Sequence, residues 1–252
     1  MEYIHNLIWL CPMLFVAGFI DAIAGGGGLI AMPAYMMCGM PIHYVYGCNK
    51  FQCAFGSTAA TLKYFKSGCL DIKTAAVSAI TSFLFSMLGT KIILYLSDAQ
   101  IRSMLMIFLP LSAVLVIFIK NAWNYEAKTQ PLNLRNIILA LITGMTIGLW
   151  DSLYGPGCGT IALLLFTILF HYDVRTSSGN AKAVLIVSNY TALLSYIFSG
   201  NVLYVIGIPC AICNMLGNYL GATFAVKNGA KIIRPIMICV VVVLIVKLFI
   251  GE

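Results

Sequence analysis

Long apolar segments, separated by short polar stretches, run through the chain and predict a bundle of membrane helices. A helix needs about 20 apolar residues to cross a bilayer. Eight segments approach or exceed that length: 4–24, 46–65, 72–96, 101–120, 134–154, 179–198, 202–226 and 232–250. Two more, 29–39 and 160–170, have 11 residues each and would reach roughly 16 Å, about half of the hydrocarbon thickness. The pattern predicts an all-α polytopic membrane protein with two helices too short to span.

Part of this pattern occurs twice, which predicts two structural repeats within a single transmembrane domain over residues 1–252. Residues 18–28 read GFIDAIAGGGG and residues 148–159 read GLWDSLYGPGCG, so each stretch has one acid followed by a glycine cluster. Further short matches follow in the same order in both halves. We therefore expect repeat one at 4–120, a polar connector at 121–133 and repeat two at 134–250. Each repeat would contain a glycine-broken helical hairpin and three spanning helices.

The number of segments predicts that the second repeat is inverted relative to the first, because each half contains five. Membrane proteins concentrate Lys and Arg in cytoplasmic loops. Basic residues cluster at 63–73, 120–135 and 227–234, and placing all three in the cytoplasm puts both termini outside. Arg102, beside a predicted outer loop, is a mild exception. Duplicated helix breaks at a repeat interface are typical of substrate sites in secondary transporters.

Composition agrees with a membrane location. The chain is 61% hydrophobic and 9% charged, with a mean hydropathy of +0.97, whereas a soluble domain averages about 25% charged residues. The net charge of +7 does not indicate nucleic acid as a partner, because the basic residues are scattered among loops. The nine cysteines lie mostly in apolar stretches, as small reduced hydrophobic residues do in a bacterial inner membrane. We expect a multi-pass plasma-membrane protein with the lipid bilayer as its surroundings.

The two glycine clusters are candidate anion sites. A helix break leaves backbone N–H groups without partners at the start of the next segment, where the helix dipole is positive. Glycine lets an anion approach such a helix end closely. Close packing of helices through small residues is the alternative explanation. The candidate substrate-binding glycines are Gly25, Gly26, Gly27, Gly28, Gly155, Gly157 and Gly159.

Asp21 and Asp151, which precede the glycine clusters, are the only acidic residues inside apolar segments. A buried carboxylate tends to become neutral unless a cation pairs with it, and a neutral carboxyl group no longer repels an anion. This favours a proton-coupling role for both residues. A structural role, with helix capping or permanent pairing to Lys50 or Lys182, is equally consistent with the pattern. Either pairing, within one repeat or between repeats, is open.

Lysine and asparagine side chains begin the next long segment in each half and suit the binding of an oxyanion. For each lysine, extension of the side chain to the membrane surface is the alternative. Cys158 lies within the second glycine cluster and could contact a sulfur-containing substrate. Other polar residues could line a cavity, although for each of them the pattern favours joining helices by hydrogen bonds. The candidate binding residues are Asn49, Lys50, Asn180 and Lys182, and the cavity candidates are Gln52, Ser57, Thr58, Ser188 and Asn189.

These motifs resemble the sulfite exporter TauE/SafE family of membrane permeases, also called TSUP. The resemblance rests on G-x-x-D-x-x-x-G-G-G-G-x-x-x-x-P at 18–33, Gly-Cys-Asn-Lys at 47–50 and Tyr-x-x-x-Gly at 64–68. In the second half it rests on the glycines of 155–159 and on Gly-Asn-Ala-Lys at 179–182, and it extends over 15–250. The family resemblance implies movement of sulfite, thiosulfate, sulfonates, sulfoacetate or other small organic acids. Pro156 and Cys158 depart from the simplest glycine pattern and leave the anion open.

We therefore expect a secondary transporter of a small, sulfur-containing anion, coupled to protons. We expect no enzyme activity, cofactor or metal, since no Ser/His/Asp order, metal-ligand cluster or phosphate loop occurs. A passive anion channel, a carrier of small carboxylates, a thiol redox enzyme that uses Cys158 or the Cys210/Cys213 pair, and a membrane scaffold are the alternatives. The sequence leaves open whether the protein forms a homo-oligomer.

Overall fold

The computed structural model describes residues 4–101, 103–104, 125–126, 129–229, 231, 233 and 235–236. The predicted spans 101–120 and 232–250 lie almost entirely outside the described residues, and so do residues 121–124 and 127–128 of the predicted connector. The part of the chain that is described contains both glycine clusters and the helices around them.

Helices are the regular elements that these residues form, which confirms the predicted all-α class. A short 3₁₀ turn, Ile4–Asn6, precedes the first helix. Eight α-helices follow among the residues that the structure describes: α1 Leu7–Ala24, α2 Gly28–Met37, α3 Ile42–Lys66, α4 Ile72–Tyr95, α5 Leu134–Leu153, α6 Cys158–Phe170, α7 Val174–Phe198 and α8 Tyr204–Asn228.

Helix lengths match the predicted mixture of spanning and short segments. Within the described part of the chain, five helices are long and apolar enough to cross a membrane: α1, α4, α5, α7 and α8. Helix α3 is as long as α7, at 25 residues, but its polar side chains lower its hydropathy below that of the other five. The short helices α2 and α6 have 10 and 13 residues. The helices are those of a multi-pass membrane protein.

Two helices begin earlier than the hydropathy pattern predicts. Helix α3 starts at Ile42 instead of 46, directly after Pro41. Helix α7 starts at Val174 instead of 179. The carboxylate of Asp173 caps α7 by accepting a hydrogen bond from the Thr176 backbone N–H at 2.9 Å, as N-cap aspartates do. The first turn of α7 is polar and buried in the protein, so hydropathy alone treats it as a loop.

The helices pack in a reciprocal arrangement. Helices α3 and α7 pack against each other at the centre; α3 also packs on α8, and α7 packs on α4. Helix α1 packs on α8, and α5 packs on α4. At the centre, Thr58 Oγ1 and Tyr190 Oη, which occupy corresponding positions in α3 and α7, lie 3.3 Å apart. Exchanging the two halves therefore maps this set of contacts onto itself, whereas the inverted orientation of the repeats in a membrane stays a prediction.

Candidate functional site

Each glycine cluster ends one helix and begins a short one. Gly25 follows α1 with a φ of 76°, and Gly155 follows α5 with a φ of 86°. Their backbone N–H groups bind the Asp21 carbonyl at 2.9 Å and the Trp150 carbonyl at 3.1 Å. A helix end of this kind requires the left-handed conformation that glycine adopts most easily. The sequence therefore breaks both helices at a glycine four residues after an acid, a spacing that the two halves share.

The two helix breaks touch each other. A Cβ placed on Gly25 would overlap the backbone of Gly159, and a Cβ placed on Gly28 would lie 3.0 Å from Pro156 Cα. The Thr160 hydroxyl, at the start of α6, donates to the Ala24 carbonyl at 2.7 Å. The glycines that the sequence places about 130 residues apart thus form one junction, and the first turns of α2 and α6 begin there.

The first acid–lysine pair is deeply buried at this junction. Lys50 Nζ lies 2.8 Å from Asp151 Oδ2 and also donates to the Asp151 carbonyl at 2.6 Å and to Asn189 Oδ1 at 3.2 Å. Asp151 Oδ2 accepts a further hydrogen bond from the Ser188 hydroxyl at 2.6 Å. The side chains of Lys50 and Asp151 are 1% and 7% exposed. Burial without full pairing would be strongly unfavourable for either charge.

The second acid–lysine pair also joins the two halves, but here the acid comes from the first half and the lysine from the second. Lys182 Nζ lies 2.5 Å from Asp21 Oδ2. Asp21 Oδ1 accepts the backbone N–H of Gly27, just before α2, at 3.3 Å. The Asp21 side chain is 15% exposed and that of Lys182 is 3% exposed.

The pairings settle the question that the sequence left open, because each acid binds the lysine of the other half. Lys50 and Lys182 each lie eight residues after the first residue of their helix, and both are buried. Neither side chain reaches an exposed helix end, as the alternative of extension to the membrane surface requires. The structure brings all four charged candidates to the glycine junction.

The two candidate asparagines have different surroundings. Asn49 accepts hydrogen bonds from Gln52 Nε2 at 3.0 Å, and its amide nitrogen lies 4.0 Å from a Cβ placed on Gly155. Asn180 accepts the backbone N–H of Asp71 at 2.9 Å, which holds the loop between α3 and α4. Asn49 is seven residues after the start of its helix and Asn180 is six. This difference of one residue turns the two side chains to different helix faces.

The remaining candidates divide between the charged pairs and the helix contacts. Ser188 and Asn189 bind Asp151 and Lys50, and the Asn189 amide donates to Ser57 Oγ at 3.5 Å. Thr58 lies at the contact with Tyr190 described above. The Cys158 thiol donates to the Ile147 carbonyl at 3.6 Å. The Cys158 backbone N–H already binds the Gly155 carbonyl at 3.2 Å.

Sequence reasoning missed Ser86 of α4, which supports the buried acid. Its hydroxyl donates to the Ser188 carbonyl at 2.9 Å and lies 3.2 Å from Ser188 Oγ. The available signal was a spacing of four, which places polar residues on one helix face. That face of α4 consists of buried hydroxyl side chains: Ser78, Ser82, Ser86 and Thr90. Among the described residues, no group of three or more His, Cys, Asp or Glu could hold a metal ion.

Buried charges at touching helix breaks, within a bundle of apolar helices, are typical of polytopic membrane transporters. The sequence profile described as sulfite exporter TauE/SafE matches residues 10–248. The chain belongs to this family, as its motifs predict.

Several full-length relatives are similar to the chain. "Probable membrane transporter protein ORF9" of a Sinorhizobium species is 32% identical over 97% of this chain and 92% of its own length. "Probable membrane transporter protein" of Haemophilus influenzae is 30% identical over 89% of this chain and 87% of its own length. "Probable membrane transporter protein YfcA" of Escherichia coli K12 is 28% identical over 98% and 94%. No solved structure matches the chain.

Proposed function

We propose that the protein is a secondary-active transporter of a small, sulfur-containing anion of the sulfite, thiosulfate, sulfonate or sulfoacetate type, coupled to protons. One observation carries the proposal: the two glycine breaks are in contact, and a crossed acid–lysine pair lies beside each of them. Two ammonium groups and two helix N-terminal ends converge where an oxyanion could bind.

Charge balance gives a reason for proton coupling. Lys50 and Lys182 carry two positive charges, and Asp151 and Asp21 neutralise them. An added anion therefore meets a site without net positive charge. Binding becomes favourable when a carboxylate takes up a proton or moves off its lysine. Both acids thus suit the coupling role that the sequence predicts for them.

Alternating access provides the transport step. The glycine junction belongs to both halves; α1, which leads into it, packs on α8, and α5, which leads into it from the other half, packs on α4. Rocking of the broken hairpins against α4 and α8 would expose the junction first to one side and then to the other. The backbone N–H groups around Gly25–Gly28 and Gly155–Gly159, together with Asn49 and Lys182, form the proposed shell of the anion, and Lys50 adds a second positive charge beside it. Asn180, the other sequence-predicted asparagine, lies outside this shell because it binds the Asp71 loop.

The names of the relatives and the family favour transport over the enzyme and scaffold alternatives, and the family name favours sulfite over carboxylates. A passive anion channel would share the positive groups but would not need acids that neutralise them. A carrier of small carboxylates remains the nearest alternative, because carboxylates and sulfonates use the same hydrogen-bond donors.

A binding screen followed by uptake tests the proposal. Purified protein would be melted with sulfite, thiosulfate, sulfate, sulfoacetate, taurine and acetate, since a ligand that binds only the folded state raises Tm. Uptake of the best ligand into proteoliposomes would then be measured with and without a pH gradient. We expect a Tm shift with a sulfur oxyanion and gradient-dependent uptake, both lost in Lys50→Ala and Gly27→Leu.

Lys66→Ala is the matched control, because Lys66 ends the same helix as Lys50 but is exposed. Wild-type uptake by folded Lys50→Ala and Gly27→Leu proteins would overturn the proposed site. Uptake that ignores the pH gradient would favour the channel, and a Tm shift with acetate alone would favour the carboxylate carrier.

A further inference from the structure

We infer that the two acid–lysine pairs do different work: the Asp21 carboxylate occupies the anion site in the absence of substrate and gives way to a singly charged oxyanion when it takes up a proton, whereas Asp151 and Lys50 remain paired. This inference rests on the proposed function and assigns the proton and the substrate charge to one of the two pairs.

Hydrogen bonding distinguishes the pairs. An ammonium group has three N–H donors. Those of Lys50 match three acceptors, which are the carbonyl and carboxylate of Asp151 and the amide oxygen of Asn189. Within the described part of the chain, Lys182 Nζ has a single acceptor, Asp21 Oδ2. Two donors of a nearly buried ammonium group are therefore available to a ligand.

A difference between corresponding residues adds a second asymmetry, in the hydrogen-bond partners of the two acids. Ser188, which donates to Asp151, lies 14 residues after the start of α7, and the same position in α3 is Gly56. Among the described residues, Asp21 consequently has no corresponding hydroxyl partner from α3. The Asp21 side chain is also about twice as exposed as that of Asp151, at 15% against 7%. Asp21 is thus the acid that can move and exchange protons.

The contacts of Asp21 are those of a bound oxyanion. One carboxylate oxygen binds the Lys182 ammonium group, and the other accepts the Gly27 N–H at the start of α2. A substrate oxyanion would use the same two donors, a cation and a helix N-terminus. The side chain therefore blocks the site as a tethered competitor until its charge is removed.

Protonation of Asp21 has a defined effect on the charge of the site. A neutral carboxyl group no longer forms an ion pair with Lys182. The Lys182 ammonium group can then neutralise one negative charge of a substrate. One proton enters with one anion charge, which favours a singly charged oxyanion over a doubly charged one. The buried thiols and phenol nearby are neutral at pH 7. Titratable groups near Asp21 are Lys182 on α7, Lys50, Cys53 and Tyr64 on α3, Asp151 on α5 and Cys158 on α6.

Binding of methanesulfonate, whose single charge does not change with pH, tests the inference. Affinity would be measured between pH 5 and 8.5 by calorimetry in detergent, for wild type, Asp21→Asn and Asp151→Asn. For wild type we expect Kd to rise by up to about tenfold per pH unit where one proton is linked to binding. Asp21→Asn should bind independently of pH, and at pH 8 at least about tenfold more tightly than wild type. Asp151→Asn should keep the pH dependence.

Three outcomes would contradict the inference. Asp21→Asn that keeps the wild-type pH dependence, or Asp151→Asn that alone loses it, would overturn it while leaving the proposed function in place. Absence of binding at pH 5 by wild type and both variants, to methanesulfonate and to sulfite alike, would overturn the proposed function itself. If Asp21→Asn does not fold, Asp21→Ser serves in its place, and Lys182→Gln should lose binding at every pH.

Discussion

Gly47 and Gly179 occupy the same position in α3 and α7, five residues after the start of each helix, and each packs on the loop that follows the other helix. A Cβ on Gly47 would overlap the carbonyl oxygen of Asn201, and a Cβ on Gly179 would overlap that of Cys69. Both loops are Ser-Gly turns with a glycine at positive φ, Gly68 and Gly200. The two halves are therefore joined by one contact made twice.

Alanine at either glycine should destabilise the protein. The added methyl group meets backbone, which cannot move aside as a side chain can, so we expect a loss of about 1–3 kcal/mol for Gly47→Ala and for Gly179→Ala. Thermal or denaturant unfolding in detergent measures it. Gly207→Ala in α8 is the control, because its Cβ would lie 3.5 Å from the Phe51 ring and alanine favours helix. Equal stability of all three variants would contradict the close packing.

Helices and their approximate bounds follow from hydropathy, since about 20 apolar residues are needed to span a bilayer. The early starts of α3 and α7 do not follow from it. Residues 174–178 include Arg175 and three hydroxyl side chains, and they are helical because Asp173 caps them and the neighbouring helices bury them. A hydropathy pattern assigns polar sequence to loops, so it cannot predict a polar helical turn that is buried by neighbouring helices.

A second prediction compares two tyrosines at corresponding positions of the repeated Tyr-x-x-x-Gly motif. The Tyr64 hydroxyl donates to the Ala22 carbonyl, next to Asp21, at 2.8 Å, whereas the buried Tyr196 hydroxyl has no hydrogen-bond partner among the described residues. Tyr64→Phe should therefore lower the free energy of unfolding by about 1 kcal/mol. Tyr196→Phe should be neutral or slightly stabilising. Unfolding midpoints of the two variants provide the test, and a larger loss in Tyr196→Phe would contradict it.

A third prediction concerns Asp71, a buried carboxylate at the start of α4. It accepts hydrogen bonds from the Tyr172 hydroxyl at 2.6 Å, the Gln130 backbone N–H at 3.1 Å, Thr74 and the Lys73 backbone. Burial of the Tyr172 phenol, together with its hydrogen bond to Asp71, raises the pKa of Tyr172. Asp71→Ala would leave these donors without their acceptor, so it should cost clearly more than the roughly 1 kcal/mol of an ordinary N-cap.

Asp173→Ala is the matched control for Asp71→Ala, because Asp173 also caps a helix but accepts only the Thr176 N–H among the described residues. Chemical denaturation of both variants would measure the difference. Similar losses for the two would show that the contacts of Asp71 beyond its capping role contribute little.

A fourth prediction concerns anion binding at the second glycine cluster, and it distinguishes the contribution of the backbone from that of the Cys158 thiol. The thiol donates to the Ile147 carbonyl and its residue is 1% exposed, so Cys158→Ala should keep anion binding and lose about 1 kcal/mol of stability at most. Cys38→Ala is the control, since the Cys38 thiol donates to the Ala34 carbonyl at the end of α2. The test is anion binding by the two variants, measured as the shift in Tm that the anion causes. Loss of binding in Cys158→Ala alone would place the thiol in contact with the substrate.

The members of the candidate site were largely predictable, but their connections were not. Asp21, Asp151 and the glycines stand out because acids and helix breaks are rare in apolar sequence. The pairing of Asp21 with Lys182 depends on how two distant halves dock, which one sequence does not encode locally. Asn180 shows the same limit: its motif resembles that of Asn49, yet a register difference of one residue turns it towards the Asp71 loop.

The crossed pairing has a consequence for the ancestry of the chain. Two identical copies of either half, associated as the two halves are here, would form two equal acid–lysine pairs. Each copy would need to supply only one acid and one lysine. A single chain that holds both halves allows the two pairs to differ, and Ser188, whose corresponding residue in α3 is Gly56, is such a difference. In a symmetric dimer of such copies, both acids would have to separate from their lysines in the same way. A single chain can keep one acid–lysine pair intact while the acid of the other pair is replaced by substrate.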